Sequence, residues 1–377
     1  MSETKIYLDN AATSPVTDNV LNVMLPWLRE GYGNASALYA LGRKSAIALN
    51  KARAQCAELL GCEPGEIIFT SGGTESDVQA VCSAAENGRL SGKDHIITSA
   101  FEHHAVLNAV KEQEKRGFRV TYLPVYDNGI VRVSDLEAAL DDKTALVTVM
   151  AVNNEVGTIQ PVAGIGQLCR ERGITFHTDA VQAFGNIPLN VREQSIDMLS
   201  ISGHKLHAPK GVGLLYAKRS AGLRPLIVGG PQQYGKRAGT ENIAGIAALA
   251  EAMRAAAEGI GAKNAKLLPL RERLIAELSA LPGAKFNGDR ERRVASNVNF
   301  SFPGQESETL ILKLDLRGIA VSGGSACASG SLEPSHVLAA LGCTRDEARG
   351  SLRVTMSDLT TEEDITAFIK AMYEIMT

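Results

Sequence analysis

No apolar run in the 377-residue sequence is long enough to cross a bilayer, which excludes a helical membrane span. Neither charge sign dominates: 39 Lys and Arg oppose 42 Asp and Glu, for a formal net charge of -3. The chain therefore has no basic field to recruit nucleic acid or an anionic membrane. The first residues, MSETKIYLDNAATSPV, do not place a basic region before an apolar core, so no secretory signal is read and a cytoplasmic protein is expected. The six cysteines (Cys56, Cys62, Cys82, Cys169, Cys327 and Cys343) are scattered, with no C-x-x-C pair and no zinc-like His/Cys spacing. Neither a metal site nor a disulfide framework is expected. There is no G-x-x-x-x-G-K-[ST] phosphate loop, no internal repeat and no low-complexity linker. What remains is an ordinary globular balance, 45% hydrophobic and 21% charged, in a chain long enough for two domains or one large and one small.

Strand-like and helix-like segments alternate from about residue 66 to 217. EIIFT, HIITS, RVTYLPV, TALVTVMAV, ITFHT, DMLSIS and GVGLLYA are the apolar runs, with helical stretches such as ESDVQAVCSAAENG and HHAVLNAVKEQEKRG following them. Apolar runs separated by helices predict an α/β fold with a mainly parallel sheet covered on both faces. After Gly245 a long alanine-rich helix leads to a separate α+β segment containing SNVNFSF, ETLILKLDLRG and SLRVTMS. The expected division is a large domain over 15–255 and a small domain formed by 1–14 and 256–377.

In an open α/β sheet, ligands bind beyond the carboxyl ends of the strands. The residues following the strands are Gly72-Gly73-Thr74, then Glu102-His103-His104, Asn153-Asn154-Glu155, Asp179 with Gln182, and Gly203-His204-Lys205. Each admits an ordinary reading. The glycines and Thr74 make a turn and cap, or an anion site at a helix N-terminus. His103 is a surface or core histidine, Asp179 a helix cap, Asn154 a turn residue, and Lys205 a solvated lysine or an amine nucleophile. Taken together they match one cofactor. A lysine holds an aldehyde, a carboxylate keeps a pyridine nitrogen protonated, a helix N-terminus holds a phosphate, and an imidazole stacks on the ring. These are the requirements of pyridoxal 5′-phosphate. The loop AVSGGSACASGSLEPS adds a cysteine, Cys327, with only small residues around it, open to reading as an inert thiol or a nucleophile.

The run Ser202-Gly203-His204-Lys205 resembles the cofactor-lysine motif of cysteine desulfurases. So do YLDNAAT, GGTES, EHHAV, NNEVGT, HTDAVQ, RAGTEN and SGGSACASG, in order from residue 7 to about 360. The resemblance implies the fold-type-I pyridoxal phosphate architecture of the class V aminotransferase group, with a seven-stranded sheet in the large domain and the Cys327 loop on the small one. The loop is similar to that of the longer-loop group that includes NifS and IscS. By resemblance, Lys205 carries the cofactor, Asp179 pairs with the ring nitrogen, Gln182 reaches the ring hydroxyl, and His103 stacks on the ring and helps move protons. Gly73, Thr74, Ser202 and His204 hold the phosphate edge. Thr240 reaches the phosphate of the other subunit, which implies a homodimer. Asn154 and Arg353 bind the substrate carboxylate, and Arg353 also admits reading as a surface strand residue. Cys327 accepts the sulfur of L-cysteine as a persulfide, alanine leaves, and the sulfur passes to an acceptor for iron–sulfur cluster, cofactor or tRNA biosynthesis.

The chain departs from the family pattern at Ala35, Tyr39, Pro231, Gln233 and Tyr234, where the dimer contact or the phosphate edge is expected to be affected, and at Ala208, where a glycine is common, a mild change. It also ends about two dozen residues after Arg353, short of the tail with which housekeeping enzymes of the group contact a scaffold, so a NifS-type or specialised enzyme is expected. The rival activities are selenocysteine lyase or another reaction of the same fold. A non-catalytic sulfur carrier or iron–sulfur scaffold is the rival of another class. It would require clustered cysteines and would give Lys205, Asp179 and His103 no reason to occur together.

Overall fold

A computed structural model describes residues 5–323 and 334–376 of the chain. Its strands in chain order are β1 (Ile6–Tyr7), β2 (Ile67–Thr70), β3 (His95–Ser99), β4 (Arg119–Leu123), β5 (Thr144–Thr148) and β6 (Thr175–Asp179). They continue with β7 (Met198–Ser202), β8 (Gly213–Ala217), β9 (Lys285–Phe286), β10 (Asn297–Ser301), β11 (Ile319–Ala320) and β12 (Ser351–Thr355). The main sheet has seven strands in the order β2-β8-β7-β6-β5-β3-β4, as the alternating pattern predicts. Strand β8 runs antiparallel to both neighbours, and every other pairing is parallel. The apolar runs 119–125 and 144–152 contribute only their first five residues to the sheet. Past the second of these strands the chain stays buried, with Val149 N and Ala151 N bonded to the carbonyls of His177 and Asp179.

The sheet is buried on both faces because its strands alternate two apolar sets. Ile68, Ile96, Leu146, Met198 and Leu215 face Ala80, Val81, Ala84 and Ala85 of the helix Gly73–Leu90. Phe69, Ile97, Val147, Leu199 and Leu214 face the other way, towards Ile165, Leu168, Leu249 and Met253. A period of two along a strand thus feeds two cores. The small side chains of Gly73–Leu90 let that helix lie close: a Cβ on Gly88 would come within 2.4 Å of Ala145 Cβ.

The second apolar cluster lies around the antiparallel sheet β12-β10-β9, with Val298, Phe300, Leu352 and Val354 packed under the helices Ser307–Asp315 and Glu362–Met376. The first residues join this cluster: β1 pairs in parallel with β11, and Leu8 is fully buried there. The helix Ile243–Ser279 connects the two clusters. Ile246, Leu249 and Met253 pack in the first, and Leu267, Leu270, Leu274 and Leu278 in the second. Each such buried leucine contributes about 1.5–3 kcal/mol of transfer free energy. Among the described residues no helix is long and apolar enough to cross a membrane.

Candidate active site

Six strands of the main sheet share one direction, so their carboxyl ends meet at one rim. After β2 the chain passes through Gly72 at φ 157°, ψ -177°, a region that glycine alone occupies readily. Gly73 then opens the helix Gly73–Leu90, and a Cβ there would lie 2.8 Å from Val181 Cγ2. No side chain caps this helix. Its first N–H groups and the positive end of its dipole are left for an anion.

After β3, His103 is the N-cap of the helix His104–Lys115, its Nδ1 accepting from Ala105 N at 3.2 Å. After β5, Asn153 fixes a turn: its Oδ1 accepts from the backbone N–H groups of Glu155 (2.8 Å) and Val156 (3.0 Å). That turn presents Asn154 and Glu155. Strand β6 ends on Asp179, whose Oδ1 accepts from Val181 N at 2.9 Å. Strand β7 ends on Ser202 and runs into a short turn, Gly203–Lys205. The N-terminal segment crosses this rim. Lys205 Nζ donates to the carbonyls of Ala11 and Ala12, each at 2.5 Å, and Gln182 Nε2 donates to Ala11 O at 3.0 Å.

These groups surround a cavity of about 360 Å³. Gly73, Thr74, His103, Asn154, Asp179, Gln182, Ser202, His204, Lys205 and Arg353 all line it. Their spacing along the chain is large; the parallel sheet brings them together. Thr240 is exposed in the segment before the helix Ile243–Ser279 and does not line the cavity. Cys327 lies outside the described residues. Arg353 is not a surface residue: it is 1% exposed on β12, with Nη2 2.8 Å from Asp9 Oδ1 and Nη1 donating to Asn154 O at 3.1 Å. Its Nε, also buried, has no partner among the described residues.

Burial sets the electrostatics. It raises the Asp179 carboxyl, against the lowering effect of its bond from Val181 N and of nearby Lys205. It pushes the His103 imidazole down to about 4, helped by the Lys205 and His104 charges, so His103 is neutral at pH 7. His204 is held at about 4 for the same reason, with Lys205 and Lys210 adding to the effect. Burial pushes Glu155 up to about 7, opposed by a 2.5 Å bond from Ser335 Oγ and by Arg353.

Several contributors escaped sequence reasoning. Asp77 lines the cavity one helical turn beyond Gly73. It resembled any polar residue in a helix, and only its near-complete burial marks it. Asp9 belongs to YLDNAAT, but its pairing with Arg353 crosses the whole chain. His336 lines the cavity next to His104, with ring centroids 4.6 Å apart, and its Nε2 lies 2.9 Å from Glu102 O. No local pattern signals that placement.

The family model described as aminotransferase class-V matches residues 6–368. A cysteine desulfurase IscS of Clostridium botulinum is 48% identical over 99% of this chain and 94% of its own length. A cysteine desulfurase IscS of Methanosarcina thermophila is 47% identical over 98% of this chain and 92% of its own. A solved NifS-like protein superposes with a TM-score of 0.92 at 38% identity, covering 98% of each chain. The main sheet and its flanking helices are those of a fold-type-I pyridoxal phosphate enzyme. By its sequence and its fold, the chain belongs to the class-V aminotransferase family.

Proposed function

We propose that the chain is a pyridoxal 5′-phosphate-dependent cysteine desulfurase that converts L-cysteine to L-alanine and passes the sulfur, as a persulfide on Cys327, to an acceptor protein. The observation that carries this reading is the convergence of Lys205, Asp179 and His103 on the cavity that an uncapped helix N-terminus also enters. The cavity fits the cofactor on its own terms. A buried carboxyl oxygen, Asp77 Oδ1, has no partner among the described residues, a Cβ on Gly73 would strike Val181, and the helix that Gly73 opens at the cavity has no side-chain cap. Gly73, Thr74, Ser202 and His204 would hold the phosphate, Lys205 the aldehyde carbon, Asp179 the ring nitrogen and Gln182 the ring hydroxyl. When bound, the cofactor supplies an electron sink beside the substrate α-carbon.

The chain's own groups do the rest. Arg353 and Asn154 take the substrate carboxylate, a planar acceptor suited to a guanidinium. Lys205 takes the α-proton. Neutral His103, lining the same cavity as Lys205, would accept and return a proton. The Cys327 thiolate forms an S–S bond to the substrate sulfur as the C–S bond breaks; the bonding pair goes to the carbon fragment, which gains a proton and leaves as alanine. The five described cysteines support Cys327 by contrast. Burial raises the thiol of each, to about 12 for Cys56, Cys62 and Cys169, so none of them is a ready thiolate.

The second apolar cluster, which joins Leu8 to residues from Leu267 to Met372, supports a small domain over 1–14 and 256–377 beside a large one over 15–255, with Val294, Val337 and Leu341 of the small domain packing into the first cluster. Exposed Tyr39, Val228 and Tyr234, with exposed Thr240, support a homodimer whose partner completes the phosphate edge. The likeness to cysteine desulfurases named IscS supports service to iron–sulfur cluster, other sulfur-cofactor or tRNA biosynthesis, and no helix of the described residues is long and apolar enough to cross a membrane.

The test is release of alanine and sulfide from L-cysteine with a thiol reductant. Wild type gives equal amounts, and Cys327→Ala gives neither while keeping the visible absorption of its cofactor. Equal activity of the two proteins refutes the role of Cys327. Inactivity of wild type on L-cysteine, with turnover of selenocysteine or an amino acceptor, refutes the substrate.

A further inference from the structure

The carboxylate assigned to the ring nitrogen has a neighbour. Asp77, on the helix Gly73–Leu90, is 1% exposed and lines the same cavity. A carboxyl oxygen of Asp77, a carboxyl oxygen of Asp179 and a ring nitrogen of His103 all lie within 4.8 Å of one another. Asp77 Oδ1 has no hydrogen-bond partner among the described residues. The nearest basic group, His177 Nε2, stands 3.6 Å away and is instead 3.0 Å from Ser200 Oγ, while His177 Nδ1 is 2.8 Å from Thr148 Oγ1. An unsatisfied buried carboxyl oxygen costs free energy unless a ligand or a proton supplies its partner.

Charge decides which. Two carboxylates this close in a water-excluded site do not both ionise; one keeps its proton. Burial raises Asp77 well above the usual carboxylate range, Asp179 adds to the rise, the Ser200 hydroxyl opposes it and Glu102 reinforces it. His177 gives no compensating charge, because burial alone holds it at about 3. Lys205 acts on Asp179, which already accepts from Val181 N, so Asp179 is the member better able to carry the anion.

We propose that Asp77 is a second carboxyl of the pyridine-nitrogen site: it holds a proton while Asp179 carries the single negative charge, and it takes over as the anion when Asp179 is neutralised. Asp77 is thus a reserve carboxyl for the ring nitrogen, whose effect is read only when Asp179 no longer carries the charge. This rests on the pyridoxal phosphate reading of the cavity.

The experiment uses the reconstituted protein with pyridoxal phosphate labelled with ¹⁵N in its ring, as wild type, Asp77→Asn, Asp179→Asn and the double variant. The ring-nitrogen chemical shift reports protonation, and a titration of apoprotein reports cofactor affinity. Asp77→Asn, which replaces a protonated carboxyl by a neutral isostere, keeps the wild-type shift between pH 6 and 9. Asp179→Asn keeps part of the protonated signal, and the double variant loses it and binds pyridoxal phosphate a further 10-fold or more weakly than Asp179→Asn, the scale of one charge-assisted hydrogen bond. A double variant no different from Asp179→Asn overturns the proposal. So does an Asp77→Asn protein whose nitrogen loses its proton, since that would make Asp77 the working anion in wild type. If the double variant does not fold, infrared spectroscopy of the holoenzyme decides: a protonated-carboxyl band present in wild type and lost in Asp77→Asn upholds the proposal, and the same carboxyl bands in both proteins overturn it. Failure of wild type to bind pyridoxal phosphate at all would instead refute the functional reading beneath it.

Discussion

Arg353→Lys isolates the substrate-carboxylate contact from the stability of the site. Arg353 is fully buried and holds two partners at once, Asp9 Oδ1 at 2.8 Å and Asn154 O at 3.1 Å, which leaves its buried Nε for a third. Deleting the side chain would leave the partly buried Asp9 carboxylate without its charge partner, a loss of about 3–5 kcal/mol for a buried pair. An alanine variant therefore confuses folding with binding. Lysine keeps one positive charge against Asp9, but it is a point charge without the planar fork that can hold Asp9, Asn154 O and a substrate carboxylate together. One charge-assisted hydrogen bond to substrate is lost, about 1.5–3 kcal/mol, or roughly 10- to 150-fold in kcat/KM. The loss is expected mainly in KM, because the contact is made equally in the ground and transition states. The assay is alanine formation at varied L-cysteine, with the cofactor absorption and thermal melting followed in the same preparations. An Arg353→Lys enzyme with unchanged KM and kcat/KM would refute the assignment of Arg353 to the carboxylate.

Gly73→Ala places a methyl 2.8 Å from Val181 Cγ2 at the mouth of the anion site; cofactor titration should show weaker binding with little change in melting temperature. The neutral imidazoles His103 and His204 (about 4) and His177 (about 3) are protonated more readily in the unfolded chain, so their contribution to stability is lost as pH falls from about 6.5 towards 4; thermal melts across that range should show it. Burial pushes Glu102 up to about 8, against bonds from Ser99 and Met150, so the native state keeps a proton that the unfolded chain has released. Its contribution to stability therefore falls as pH rises towards 8, and Glu102→Gln should flatten the difference between melts at pH 6.5 and pH 8. Leu274→Ala, at a fully buried position of the second cluster, should cost about 2–5 kcal/mol in denaturant unfolding.

The local chemistry of the site was legible because each part is a short run with its own physical reason. Gly72-Gly73-Thr74 at a helix start marks an anion site, His103 follows a strand, and Lys205 follows an apolar strand with small residues beyond it. The seven-stranded sheet was legible because its strands are brief apolar runs separated by helices. Two apolar runs were overlong in that reading because burial continues past the strand ends, at Val125 and from Val149 to Val152, where Val149 N and Ala151 N still bond the carbonyls of His177 and Asp179. Arg353 was open to reading as a surface residue, since a charge in an apolar strand gives no sign of its partner. That partner, Asp9, lies at the other end of the chain.

The order of polar residues at the strand ends was fixed by sequence, because a strand followed by a helix leaves its terminal groups at one rim whatever the rest of the chain does. Their convergence within hydrogen-bonding reach, the two carbonyls that receive Lys205, and the placing of Asp77 beside Asp179 were fixed by packing. Those contacts join segments far apart in the chain, and burial, which a sequence does not display residue by residue, is what gives the carboxyls and imidazoles their protonation states.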